Sequence, residues 1–160
     1  MLEITENPKI VERAYLVGAR PQGLSLEEAE EHLEELAQLV DTMGVPVVAR
    51  RIVSIGRIHP ALLLGTGAAE EIHAECQALE ADCIVFDDDL SPSQQRNWER
   101  MTKLCVIDRR EVILDIFAQR AQTREARLQT QLARLEYSLP RLRRAWTHLE
   151  RQRGGTGSTG

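Results

Sequence analysis

The chain has 160 residues, 42% hydrophobic but only 4% aromatic, so it is the size of one domain and must build its core from leucine, isoleucine and valine. No run approaches the ~18 apolar residues of a membrane span, and the opening MLEITENPKI lacks the apolar stretch of a secretory signal, so a cytoplasmic chain with no membrane partner is expected. The net charge of -5 hides an asymmetry: residues 1–108 carry 9 basic and 20 acidic side chains, net -11, whereas residues 109–160 carry 11 arginines, no lysine and 5 acids, net +6.

AYLVGA (14–19) reads as a buried strand. A helix then starts at Ser25, with Glu28 three residues on completing a capping box. Leu26, Ala29, Leu33, Leu36, Ala37 and Val40 follow at helical spacing, and Gly44 closes the helix. VPVVARRIVSIG (45–56) is β-branched and reads as a second strand, with a bend expected near Arg50–Arg51. RIHPALLLGTG is ambiguous: Leu62–Leu64 is compatible with an extended segment, and Gly65-Thr66-Gly67 turns into a helix, AAEEIHAECQALE.

CIVFDD (83–88) is the clearest buried strand. Ser91 as N-cap, Pro92 at the first position and Gln94 at the third then satisfy the local requirements of a helix start. LCVID (104–108) is a fourth strand. Strands alternating with helices predict a small α/β domain over residues 1–108 with a parallel sheet and right-handed crossovers.

From Glu111 to Gln152 the pattern is helical without interruption except at Pro140, where a kink is expected. Leu128, Leu132, Leu135, Leu139, Leu142, Trp146 and Leu149 step by fours and threes, the narrow a/d seam of a coiled coil. Residues 109–153 are therefore expected to be one long basic helix whose seam seeks a second helix, a second copy of the chain being one candidate. RGGTGSTG, with Gly154, Gly155 and Gly157, reads as a flexible tail.

Few motifs carry chemistry. Gly65, Thr66 and Gly67 before a helix would offer backbone N–H groups to a nucleotide phosphate. They lack the spacing of a dinucleotide fingerprint or a P-loop, and Glu70 and Glu71, expected in the first turn, would repel an anion, so an αL turn and cap is the plainer reading. Asp87, Asp88 and Asp89 stand at a strand's carboxyl end, where α/β sheets place ligands, but alternate residues of a strand face opposite ways, which favours a solvated acidic turn. His59 and His73 lack metal-ligand spacing. Cys76, Cys83 and Cys105 lack CxxC spacing and read as reduced, buried small residues. No catalytic set and no metal site is expected.

The arginines are more informative. Arg120, Arg127, Arg134 and Arg141 recur every seven residues, Arg124 extends their stripe, and Arg143, Arg144, Arg151 and Arg153 cluster further on. Guanidinium groups favour planar contacts with phosphate, so the stripe points to RNA; a solvated helix face is the bland alternative.

FDDDLSPSQQRNWE (86–99), VIDRREVILDIFAQRAQTREARLQTQLARLEYSLPRLRRAWTHLERQ (106–152), GGTG (154–157) and GTGAAEEI (65–72) resemble the N-terminal region of HflX proteins, translation-associated GTPases of the Obg–HflX group. The resemblance implies a small α/β subdomain, a two-helix hairpin whose first arm is the basic helix, and a separate G domain. It implies a ribosomal role in stress and translation, with contact to the large ribosomal subunit and its rRNA through Arg120, Arg124, Arg127, Arg134, Arg141, Arg143 and Arg144 and through Gly154, Gly155 and Gly157. GTP and Mg would belong to the G domain, whose P-loop and switch motifs do not occur in these residues; no cofactor and no enzymatic activity is expected of them. A nucleotide-binding α/β domain and a coiled-coil protein-interaction module are the alternatives.

Overall fold

The computed structural model describes residues 11–121 and 123–137. They alternate strand and helix: β1 (Ala14–Arg20), α1 (Leu26–Thr42), β2 (Val47–Ser54), α2 (Thr66–Ala78), β3 (Cys83–Phe86), α3 (Pro92–Thr102), β4 (Cys105–Asp108) and α4 (Arg109–Arg120). A further helix, α5, occupies residues 124–137. All three strand pairings are parallel, in the order β2-β1-β3-β4.

The sheet is covered on both faces, which is why β1 and β3 are apolar almost throughout. Tyr15, Val17, Ile84 and Phe86 point into a cluster with Ala69, Ile72 and Cys76 of α2 and Trp98 of α3. Ala14, Leu16, Cys83 and Val85 point the other way, onto Leu33, Leu36, Ala37 and Val40 of α1 and Val112 of α4. Phe86 and Trp98 meet edge to face at 5.0 Å.

The helix starts follow their caps. Ser25 accepts from the Glu28 N–H at 3.1 Å while Glu28 accepts from the Ser25 N–H at 3.0 Å, and Ser91 and Gln94 exchange the same pair of bonds at 3.1 and 2.9 Å. Gly44, at φ +80°, ends α1 in the left-handed region that favours glycine. Leu26 departs from the expected apolar face and is exposed.

Four expectations need correction. β2 keeps its register with β1 through Arg50–Arg51; its irregularity lies earlier, where the register shifts between Ala14 and Tyr15. Leu62–Leu64 is a closed loop, because Leu63 has φ +68° and exchanges backbone bonds with His59 at 3.1 and 2.9 Å. Gly65, at φ -65° and ψ 154°, is an extended N-cap and not an αL turn, and the first turn of α2 contains no acid.

The largest correction concerns the long helix. α4 stops at Arg120 and Ala121 is extended, at φ -66° and ψ 112°. Thr123 restarts the helix: its hydroxyl accepts from the Ala126 N–H at 3.0 Å and its carbonyl from the Arg127 N–H at 2.9 Å. Hydroxyl capping by the T-x-x-A stretch outcompetes helical continuation there. α4 also packs with α1 and sends Val112 into the core, so the boundary expected at residue 108 falls at the start of a helix that belongs to the α/β layer.

Candidate nucleic-acid interface

Asp108 organises the region where the two halves of the molecule meet. It is 1% exposed, the last residue of β4 and the N-cap of α4. Its Oδ1 accepts from the Glu111 N–H at 3.2 Å and from the Tyr137 hydroxyl at 2.7 Å, and its Oδ2 from the Leu90 N–H at 3.1 Å. A second tie joins Arg134 to Asp115 at 3.0 Å. Positions advancing along α4 meet positions retreating along α5, so the two helices form an antiparallel hairpin. Burial pushes the Asp115 carboxyl up, and Arg134 pulls it partly back.

The face that α5 turns inward consists of Ala126, Thr130, Ala133 and Tyr137, each half-buried. Small residues at this spacing let the two helices approach. Leu128, Leu132 and Leu135 therefore point away, 56%, 57% and 64% exposed. The leucine seam is real as a stripe, but within the described residues it does not contact α4. A cleft of about 440 Å³ between α4 and α5 is lined by Leu114, Phe117, Arg120, Thr123, Gln129 and Ala133, with Phe117 61% exposed.

Chain reversal also rearranges the arginines. Arg120 lies on α4, and Arg124, Arg127 and Arg134 lie on α5, so they are not one stripe on one helix. All four are exposed around the hairpin. Two have partners within the hairpin: Arg127 Nε donates to the Ala121 carbonyl at 3.2 Å, bracing the turn, and Arg134 pairs with Asp115. Arg141, Arg143, Arg144, Gly154, Gly155 and Gly157, the kink at Pro140 and the seam residues Leu139, Leu142, Trp146 and Leu149 lie outside the described residues.

The opposite charge is concentrated on α1. Glu27, Glu30, Glu31 and Glu34 line a groove of about 720 Å³ against Arg50 and Ile52 of β2. That surface repels phosphate, whereas the hairpin presents exposed arginines.

The sheet edge holds no converging carboxylates. The strand order reverses between β1 and β3, where open α/β sheets bind ligands. There Asp88 accepts from the Ala19 N–H at 2.8 Å and bridges the crevice; burial, with the charges of Asp87 and Asp89, pushes its carboxyl up. Asp87 accepts from Arg109 Nε at 2.7 Å, and Asp89 pairs with Arg110 at 3.0 Å. At Gly65 a Cβ would stand 3.7 Å from His59 Nε2, so the His59 ring lies against the N-cap of α2. No group of three or more His, Cys, Asp or Glu side chains able to hold a metal occurs among the described residues.

The SPSQQRNW stretch has a role that spacing did not reveal. Gln94, Asn97 and Trp98 donate from one face of α3 to the carbonyls of His59, Ala61 and Leu62 at 3.1, 2.9 and 2.7 Å, and Gln95 donates to the Val106 carbonyl at 2.6 Å. These polar residues fasten a loop and an edge strand. The i, i+3, i+4 pattern of amide and indole donors was the available signal.

Comparison with known proteins agrees with this division. A family model described as "GTP-binding GTPase N-terminal" matches residues 30–118, and one described as "GTP-binding GTPase Middle Region" matches residues 120–160, so the two meet at the hairpin turn. A protein named GTPase HflX from Akkermansia muciniphila is 50% identical over 155 residues, 97% of this chain and 36% of that protein. Its namesake in Escherichia coli is 47% identical over 130 residues, 81% of this chain and 30% of that protein. The chain thus spans about a third of the length of these relatives. A GDP-bound GTP-binding protein from Sulfolobus solfataricus superposes with a TM-score of 0.64 at 23% identity, over 89% of this chain and 42% of that one, a likeness of fold. With one family model covering more than half of its residues, the chain belongs to the GTP-binding GTPase N-terminal family and corresponds to the N-terminal region of the proteins named GTPase HflX.

Proposed function

We propose that these residues form a non-catalytic, cytoplasmic module that binds the large ribosomal subunit through its rRNA, with the α4–α5 hairpin as the contact. The observation that carries this reading is the exposure of Arg120, Arg124, Arg127 and Arg134 around one hairpin. The Arg134–Asp115 pair is 52% and 26% exposed at its side chains, so a phosphate can compete for the guanidinium. Arg141, Arg143, Arg144, Gly154, Gly155 and Gly157 are proposed to extend the same surface. The 160 residues contain no P-loop, so GTP and Mg have no assigned site in them and no catalytic step is proposed.

Purified large subunits and the full chain test this by co-sedimentation across a salt series. Each phosphate neutralised releases counterions, so affinity should fall steeply as salt rises. Arg120→Glu/Arg124→Glu should weaken binding at least about tenfold and flatten the salt slope by roughly one per lost contact. Salt-independent binding, with the double variant behaving as wild type, would remove the RNA reading.

A second reading rests on the outward Leu128, Leu132 and Leu135. An exposed apolar stripe on a helix is a protein-docking feature, and we propose a second copy of the chain as its occupant, the seam continuing through Leu139, Leu142, Trp146 and Leu149. The nucleotide-binding alternative has less support, because Asp87, Asp88 and Asp89 each have separate intramolecular partners.

A further inference from the structure

Cys83 opens β3 and Cys105 opens β4, and these two residues are direct register partners in the parallel pair. Neighbouring strands run about 4.8 Å apart, inside the roughly 4.4–6.8 Å between Cα atoms that a disulfide spans, so no slippage of the strands is needed to join them. Both side chains lie on the α1/α4 face of the sheet: Cys83 belongs to that core cluster, and Ile107, two residues beyond Cys105, packs against it. The two residues face each other across the ladder, and the Cys83 thiol donates to the Ile84 carbonyl at 3.8 Å. The two differ in access. Cys83 is 0% exposed on an inner strand, whereas Cys105 is exposed on the edge strand β4. Cys76, the remaining cysteine, is buried in the cluster on the other face of the sheet.

We propose that Cys83 and Cys105 are a reversible oxidation site for hydroperoxides, with exposed Cys105 as the attacking thiol and buried Cys83 as the resolving one. In the first step the Cys105 thiolate attacks one peroxide oxygen. The O–O bond breaks, the sulfur becomes a sulfenic acid, and the departing hydroxide takes up a proton as water. In the second step the Cys83 sulfur attacks the Cys105 sulfur. The S–O bond breaks, and the leaving oxygen carries away the Cys83 proton as a second water. Two thiols are oxidised to one disulfide, and one hydrogen peroxide is reduced to two waters.

The pairing supports these roles. The neighbouring Cys83 thiol lowers the Cys105 thiol from its ordinary value, against burial and the charges of Glu111, Glu99 and Asp82. The same contact and burial push the Cys83 thiol up, so Cys83 keeps its proton until a sulfenic acid forms beside it. The product would close a loop holding the whole of α3 and constrain the unfolded chain.

The test treats the full chain with dilute hydrogen peroxide, blocks remaining thiols with a maleimide under denaturing conditions, and reads intact and peptide masses. The expected product is a monomer lighter by two hydrogens, with one maleimide where the reduced chain takes three, and with the Cys83 and Cys105 peptides joined. Dithiothreitol should restore all three thiols. Cys105→Ser should abolish the reaction. Cys83→Ser, or Cys83→Ala should the serine perturb folding, should leave a Cys105 sulfenic acid that dimedone traps. Cys76→Ala should leave the link intact. Three unreacted thiols, a link between two chains, or sulfinic acid at Cys105 without loss of two hydrogens would each overturn the proposal.

Discussion

Residues 14–120 and residues 124–137 dispose of their polar and apolar groups in opposite ways. In the α/β layer most large apolar side chains are enclosed, and Asp88, Gln94, Asn97 and Trp98 are bonded to named partners within the layer. In the returning arm the small residues face inward, and the leucines and arginines face out. Two ties, Tyr137–Asp108 and Arg134–Asp115, fasten the arm. The layer thus behaves as a scaffold whose motif residues hold it together, and the arm as the part whose chemistry is directed outward. Substitutions on either side should therefore fail differently.

The largest expected effect is in the layer. Trp98 is fully buried, meets Phe86 edge to face and donates to the Leu62 carbonyl, so Trp98→Ala should cost about 3–5 kcal/mol in urea unfolding. A loss under about 1 kcal/mol would mean that α3 is not part of the cooperative core. Asp108→Ala should come next, at about 2–4 kcal/mol, because it removes the α4 cap and leaves the Leu90 N–H buried without that acceptor. Tyr137→Phe removes only the arm's share of that carboxylate and should cost about 0.5–1.5 kcal/mol. Its effect should be local: faster amide exchange over residues 124–137, with the β1 and β3 amides unchanged. If it lowers the global midpoint as far as Asp108→Ala does, arm and layer unfold as one unit and the contrast between them is gone.

How much of this was legible follows from the same contrast. The four strands, the two capping boxes and the Gly44 stop were readable because each is fixed by residues close in sequence. The break after α4 was missed because nothing in AQTRE forbids a helix. Thr123 is an acceptable helix residue, and its capping is favoured by the fold-back that lets Tyr137 reach Asp108, 29 residues away. The leucine spacing gave the stripe, and the exposure of Leu128, Leu132 and Leu135 shows that it does not pack on α4, which periodicity does not reveal. The Cys83–Cys105 register was invisible without the strand order.

Buried carboxylates sharpen the comparison through pH. Asp88 in the layer and Asp115 at the hairpin contact are both pushed up by burial. A raised carboxyl means that the folded state holds more protons than the unfolded chain just above the ordinary carboxylate range, so stability falls as pH rises through that interval. Asp88→Asn keeps an acceptor for the Ala19 N–H and removes the buried charge. It should raise stability at neutral pH and reduce the slope without abolishing it, Asp115 remaining. Urea midpoints across a pH series decide this. An unchanged slope would show that Asp88 holds its charge at little cost and that the crevice is wetter than its geometry suggests.

The smallest effect on stability is expected from the most drastic change in character, Leu132→Glu with Leu135→Glu. Both side chains are already more than half exposed, and glutamate is a good helix former, so the urea midpoint should move by no more than about 0.5 kcal/mol. Association should respond instead. Burying one leucine is worth roughly 1.5–3 kcal/mol, so a stripe left in water provides a driving force for pairing, opposed by the like-charged arginines beside it. Wild type should therefore dimerise in sedimentation equilibrium, more strongly as salt screens the arginines, and the double variant should remain monomeric. This salt dependence runs opposite to that of RNA binding, so one salt series separates the two uses of the arm. A wild-type monomer at high concentration and moderate salt would exclude self-pairing through the stripe. A destabilised double variant would place the leucines inside the fold and reverse the orientation of α5 on which the comparison of arm and layer rests.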